Sequence, residues 1–146
     1  MTKKHFLILL FALAFVACEQ ASNTVVSMPN VEISCQDTGC DNTLSNDTVF
    51  VIVTRSGCGD SASFDPVASG DATVTCSSSG CVGTVSSWTD KNGNDVTEII
   101  TGRHDVCAYI DANNDTSQNT GDMETEDEAF INSSTTIVLD SWSATN

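Results

Sequence analysis

The twelve residues "DANNDTSQNTGD" set an oxygen-bearing side chain at positions one, three, five, seven, nine and twelve: Asp111, Asn113, Asp115, Ser117, Asn119 and Asp122. Alternate oxygens on a curled loop converge on one point, and a hard cation such as calcium takes six to eight of them. The spacing is that of an EF-hand loop, but the surroundings differ. The preceding "DVCAYI" is strand-like. Thr116 stands at the sixth position, where that loop needs glycine, and the twelfth is Asp instead of a longer bidentate Glu. A calcium site of this kind is expected to be weak, with Kd on the order of 0.1–1 mM. The competing reading is a solvated inter-strand loop, acidic because the whole surface is, since turns also use Asn, Asp, Ser and Gly. The sequence leaves both open.

Other residues with chemical potential carry less. In "DKNGND", Asp90, Asn92 and Asn94 could ligate a cation, but Asn92-Gly93 between apparent strands is the stronger signal, that of a hairpin turn. His104, the histidine of the mature region, reads as structural at a strand edge. No G-x-S-x-G elbow, H-E-x-x-H or P-loop is present. Carboxylates are too abundant for any pair to mark a glycosidase dyad. Trp88 and Trp142 could stack on a sugar, although core packing is the commoner use of such residues. Catalysis is therefore not expected.

The cysteines speak to compartment. There are seven. With Cys18 set aside for the reason given below, Cys35, Cys40, Cys58, Cys76, Cys81 and Cys107 remain, an even number that an oxidising compartment would join. "VEISCQDTGC" and "ATVTCSSSGC" share an alternating strand, a cysteine, three polar residues and Gly-Cys. Such short loops suit local clasps, Cys35–Cys40 and Cys76–Cys81, which leaves Cys58–Cys107 as the long-range bond. The other connectivities remain open. Zinc is a poor alternative, because the spacing is not CxxC.

The chain opens "MTKKHFLILLFALAFVAC": two lysines, an uninterrupted apolar run and small residues before a cysteine, the order of a secretory signal peptide. The run is short of the ~20 residues a transmembrane helix needs. Phe15-Val16-Ala17-Cys18 resembles the lipobox of bacterial lipoproteins. That resemblance implies cleavage after residue 17, lipidation of Cys18 and anchoring in a membrane. With Glu19 next, it favours the outer membrane where there are two. The expected organisation is a leader at 1–17, a lipidated tether at 18–30 and one domain at 31–146. Beyond the leader only Arg55, Lys91 and Arg103 oppose twenty acidic residues, which excludes nucleic acid as a partner.

These residues need a scaffold. Past residue 30 the chain is rich in Val, Ile, Thr and Ser, broken by Gly, Asn and Asp about every ten residues, with no 3.6-residue apolar stripe. Strands are expected at 31–35, 48–54, 72–76, 82–88, 96–101, 105–111 and 135–140. "VFVIV" is expected to be central and covered on both faces. Along 105–111, Val106, Ala108 and Ile110 are expected to face one way, with Cys107 and Tyr109 facing the other. This is an all-β, disulfide-stabilised sandwich of about seven strands, the size of an immunoglobulin-like domain. The run "VCAYIDANNDTSQNTGDMET" followed by "STTIVLDSW" resembles the closing part of transthyretin-like or carboxypeptidase-regulatory-like domains of secreted bacterial proteins. In that resemblance Tyr109, Asp111, Asn113, Asp115, Gly121 and Asp122 match, which implies a binding or structural role. The expected protein is a membrane-anchored envelope lipoprotein with a calcium-binding sandwich, whose partners are the membrane and an envelope protein or glycan. A structural or adhesive surface protein without an ion site, and a carbohydrate-binding module, are the alternatives.

Overall fold

Alternating β-branched and polar residues with frequent turns give strands throughout. The structure is a computed structural model describing residues 24–58, 66–132 and 135–145, so the expected leader, Cys18 and the first part of the tether lie outside it. The strands are β1 (Val25–Ser27), β2 (Asn30–Cys35), β3 (Thr48–Thr54), β4 (Ala68–Thr73), β5 (Thr75–Ser77), β6 (Gly80–Val85), β7 (Glu98–Ile100), β8 (Gly102–Asp111), β9 (Met123–Ile131), β10 (Thr136–Leu139) and β11 (Ser143–Ala144). A 3-10 turn, Asn42–Leu44, is capped by Asp41, whose carboxylate accepts from the Thr43 backbone N–H at 2.8 Å.

A four-stranded sheet in the order β10-β2-β6-β5 and a five-stranded sheet in the order β11-β9-β8-β3-β4 form a sandwich, with β1 and β7 as a separate two-stranded ribbon. The β10–β2 pair is parallel. The first sheet contributes Val31, Ile33, Val85, Ile137 and Leu139 to the core. From the second come Val49, Val51, Val53, Val106, Ile110 and Ile131. Each fully buried aliphatic side chain of this kind contributes about 1.5–3 kcal/mol relative to exposure.

The all-β sandwich expected from the pattern is present, with more strands than seven. β3 is central, between β8 and β4, but it is fully covered on one face only. Val49, Val51 and Val53 are buried, whereas Phe50 and Ile52 are only partly buried and Phe50 stacks on Tyr109 at 5.1 Å between ring centroids. The segment expected as one strand at 72–76 breaks at buried Val74. Its first half closes β4 in the five-stranded sheet, and its second half, β5, joins the other. β9 was not among the expected strands. Glu124, Glu126, Asp127 and Glu128 lie on a nine-residue strand paired with β8 from Gly102↔Ile131 to Ile110↔Met123. Within the 18–30 segment, Val25–Ser27 pairs with β7 and the Pro29 carbonyl accepts from the Trp88 indole at 3.0 Å.

All six cysteines beyond Cys18 are joined, as Cys35–Cys40, Cys58–Cys107 and Cys76–Cys81, with Cα–Cα separations of 5.8, 5.6 and 3.9 Å. The two clasps differ in setting. Cys76 and Cys81 face each other across the β5–β6 hairpin, whereas Cys40 follows a turn that leads toward the 3-10 turn and β3. Cys35 pairs with Cys81 on the neighbouring strand, so the clasps lie side by side. Gly80 makes that approach feasible: its φ is +122°, and a Cβ there would stand 2.2 Å from the Cys35 carbonyl oxygen.

Candidate cation site

β3 begins where β8 ends, with Thr48 opposite Asp111, and the 111–122 loop sits at this end of the sandwich before β9. The alternation of β8 carries the chain there. Val106, Ala108 and Ile110 are buried, while Cys107 and Tyr109 lie on the other, half-covered face. The loop then folds over its two terminal carboxylates, leaving Asp111 1 % and Asp122 0 % exposed.

Burying carboxylates requires hydrogen-bond donors, and the loop backbone supplies them. Asp111 accepts from the Asp115 N–H at 3.2 Å and the Thr116 N–H at 2.7 Å. Asp122 accepts from Ala112 N–H at 3.0 Å and Asn119 N–H at 2.9 Å, tying both limbs of the loop together. Asn114 and Thr116 take left-handed φ values of 59° and 64°, which curl the chain around these acids without the glycine an EF-hand would use.

The outer four expected ligands form a second layer, more open to solvent. Asn119 is its hub: its amide donates to Asp115 at 2.7 Å and to the Ser117 carbonyl at 3.0 Å, and its oxygen accepts from Asn113 at 3.0 Å. Ser117 enters through its backbone, donating its N–H to Asp115 at 2.8 Å. The Tyr109 hydroxyl donates to the Thr116 carbonyl at 3.1 Å. Burial, followed by the charges of Asp111, Asp122 and Asp115, pushes its pKa above the usual phenol value.

Thus the structure brings the six expected residues into one network of oxygens and amides. The side chains of five of them, Ser117 excepted, bond the loop's own groups, and among the described residues no three His, Cys, Asp or Glu groups are assembled to hold a metal ion. The chemistry of the donors, oxygen only, fits calcium rather than zinc or copper.

Sequence reasoning missed Asp47, which lies between the 3-10 turn and β3 in "LSNDTV" and belongs to no ligand motif. It is 9 % exposed, and its Oδ2 is buried without a hydrogen-bond partner. Its burial pushes its pKa above the usual carboxylate value; the Asn114 side chain opposes this and the Asp111 charge adds to it.

The remaining candidates are occupied by structure. Asp90 accepts from the N–H groups of Asn92 and Asn94 at 2.8 and 2.9 Å and from the Asn94 amide, which holds its pKa down to about 2. That is a self-closed turn between the bridged residues Thr89 and Asp95. A surface depression of ≈ 350 Å³ is lined by Met28, Trp88, Asp95 and Val96 among others. Trp88 is only 3 % exposed there, and Trp142 is 6 % exposed with its indole on the Leu139 carbonyl at 3.0 Å, so neither presents a ring face to a sugar. His104 is buried and fully partnered: Arg55 donates to its Nε2 at 3.2 Å, and its Nδ1 donates to the Gly102 carbonyl at 3.1 Å. Compared with protein-family models, curated proteins and solved structures, the chain matches none.

Proposed function

We propose that this is an extracytoplasmic lipoprotein, anchored through Cys18, whose β-sandwich takes calcium in the 111–122 loop and serves a binding or structural role at the cell envelope. Three disulfides support an oxidising compartment. The observation that carries the calcium reading is the pair Asp111 and Asp122, both almost wholly buried beneath a loop that also holds Asp115. Under this reading a bound cation offsets their mutual repulsion, and the outer amides and Asp115 exchange loop partners for the ion.

A second reading has its own observation. Both oxygens of Asp111 and of Asp122 already accept backbone N–H groups, so the carboxylates serve as the loop's internal caps. The protein is then a structural surface module with no ion site. A thermal melt in EDTA and in millimolar calcium separates the two. At ten times Kd, linkage gives about 1.4 kcal/mol of stabilisation, several degrees for a domain of this size. The rise should exceed that from magnesium and disappear in Asp111→Asn. No rise in the unaltered chain would establish the second reading. For the anchor, Cys18→Ala should move the protein from the membrane to the soluble fraction; retention would refute lipidation.

A further inference from the structure

β9 lies second in its sheet, but β11 covers only its first two residues, Met123 and Glu124. Thr125 is tied to the Ser141 carbonyl through its hydroxyl. Over 126–130 the strand pairs with β8 on one side, and among the described residues no strand pairs with the other. Backbone donors and acceptors along such an edge are a template for one more strand. The open stretch is as long as an ordinary strand.

The side chains show that this edge is accessible. Met123, Thr125 and Ile131 face inward and are buried, yet Asp127, on the same face of β9, is exposed. Glu126 and Glu128 are exposed on the outer face, where they stand opposite Cys107 and Asp105. Phe130 follows on that face, opposite Arg103. It is 62 % exposed, the most exposed large apolar side chain among the described residues. Glu128 pairs with Arg103, and both remain largely open to solvent. Glu126 and Asp127 have no partner among the described residues.

Charge decides what can dock there. Consecutive carboxylates on an edge, one of them on the inward face, keep a second copy of this chain from pairing, because like charges set opposite one another are destabilising. The net charge of -15 extends that repulsion to any copy. A strand carrying cations meets the reverse. Its charges pair with Glu126, Asp127 and Glu128, and an apolar residue beside them covers Phe130.

We propose that the 126–130 edge of β9 is a docking site for an extended, arginine- or lysine-rich segment of a partner protein, which joins the five-stranded sheet as a further strand. Main-chain hydrogen bonds supply the affinity, while the acidic row and Phe130 select basic residues next to an apolar one. The site is independent of whether the 111–122 loop takes calcium.

The test is an anisotropy titration of the oxidised full chain with a labelled synthetic peptide in which arginine and valine alternate. It is made in EDTA, so its outcome is separate from that of the calcium reading, and at physiological salt, which screens long-range attraction. One control peptide has glutamate in place of arginine. The other keeps the arginines but has proline in place of valine, so it retains the charge and cannot extend a sheet. The expected result is saturable binding of the alternating peptide, with both controls at least roughly tenfold weaker, and slowed exchange of β9 backbone amides in the complex. Glu126→Gln alters an exposed side chain and should fold normally, with binding about two- to fivefold weaker, as loss of one cross-strand charge pair would give. Glu98→Gln, exposed on β7, should leave binding unchanged. Equal affinity for the proline peptide, or equal weakening by Glu98→Gln, would reduce the binding to bulk charge attraction and overturn the proposal. Absence of binding would overturn it as well, as would a chain that dimerises by itself with the same amides protected, since a second copy would then hold the edge.

Discussion

β8 carries a buried polar group toward each end, and the two ends are finished differently. Near its start, His104 is 1 % exposed and both ring nitrogens have partners, Arg55 and the Gly102 carbonyl. At its far end, Asp111 and Asp122 are equally buried and bonded to loop N–H groups, but neighbouring Asp47 keeps an oxygen unmet beside a like charge. The first end is complete as protein alone. The second encloses two carboxylates under one loop, and that buried pair, not the histidine, carries the functional reading.

The strongest way to probe this contrast is Asp122→Ala. It strands the Ala112 and Asn119 N–H groups and opens a void, so a loss of about 2–4 kcal/mol in urea unfolding is expected. The variant should also fail to respond to calcium. His104→Ala should be destabilising as well, through a cavity and an unpartnered Arg55, but its calcium response should remain intact. Equal calcium responses in the two variants would erase the difference between the ends.

Gly121→Ala probes the acidic end without touching a carboxylate. Gly121 has φ +107°, and a Cβ would meet nothing within 4 Å, so the cost is conformational, about 1 kcal/mol. An unchanged stability would show that the loop can rearrange freely, which would weaken the case for a fixed ligand cage.

The smallest effect expected is a pH step at the histidine end. Burial lowers the His104 pKa below 6.5; the Arg55 charge lowers it further, while the Gly102 hydrogen bond and the Asp105 charge oppose. The unfolded chain therefore takes up a proton before the folded one does. The contribution to stability is fully present above about pH 6.5 and is lost as pH falls from there toward the folded value. Melting temperature should decline between pH 7.5 and 5.5 in EDTA, and His104→Gln should flatten the decline. An unflattened slope would place the proton uptake on other groups.

Several features of both regions were legible locally. The alternation along β8 assigned Val106, Ala108 and Ile110 to the core, and Thr48–Thr54 was bounded correctly as a strand. The Asn92-Gly93 turn was also evident from its residues. Cysteine spacing pointed to the two local clasps, since a five-residue separation already holds two thiols near each other, and left Cys58–Cys107 as the remaining pair among several open connectivities. β9 was obscured because "METEDEAFI" reads as solvated loop. Its strand character comes from pairing with β8, while Met123, Thr125 and Ile131 are the residues that reach the interior. The break at Val74 was equally hidden, because a change of sheet is decided by which neighbour each half pairs with.

By itself, then, the sequence determined an all-β chain with paired cysteines and an oxygen-rich loop between two strands, because alternation, turn chemistry and thiol proximity act over a few residues. Only the tertiary structure decided which acids are buried and what remains unmet among them. Asp47 precedes the loop by more than sixty residues and Thr145 follows it by more than twenty. Whether a carboxylate is solvated or enclosed depends on the segments that cover it, and no local pattern encodes that.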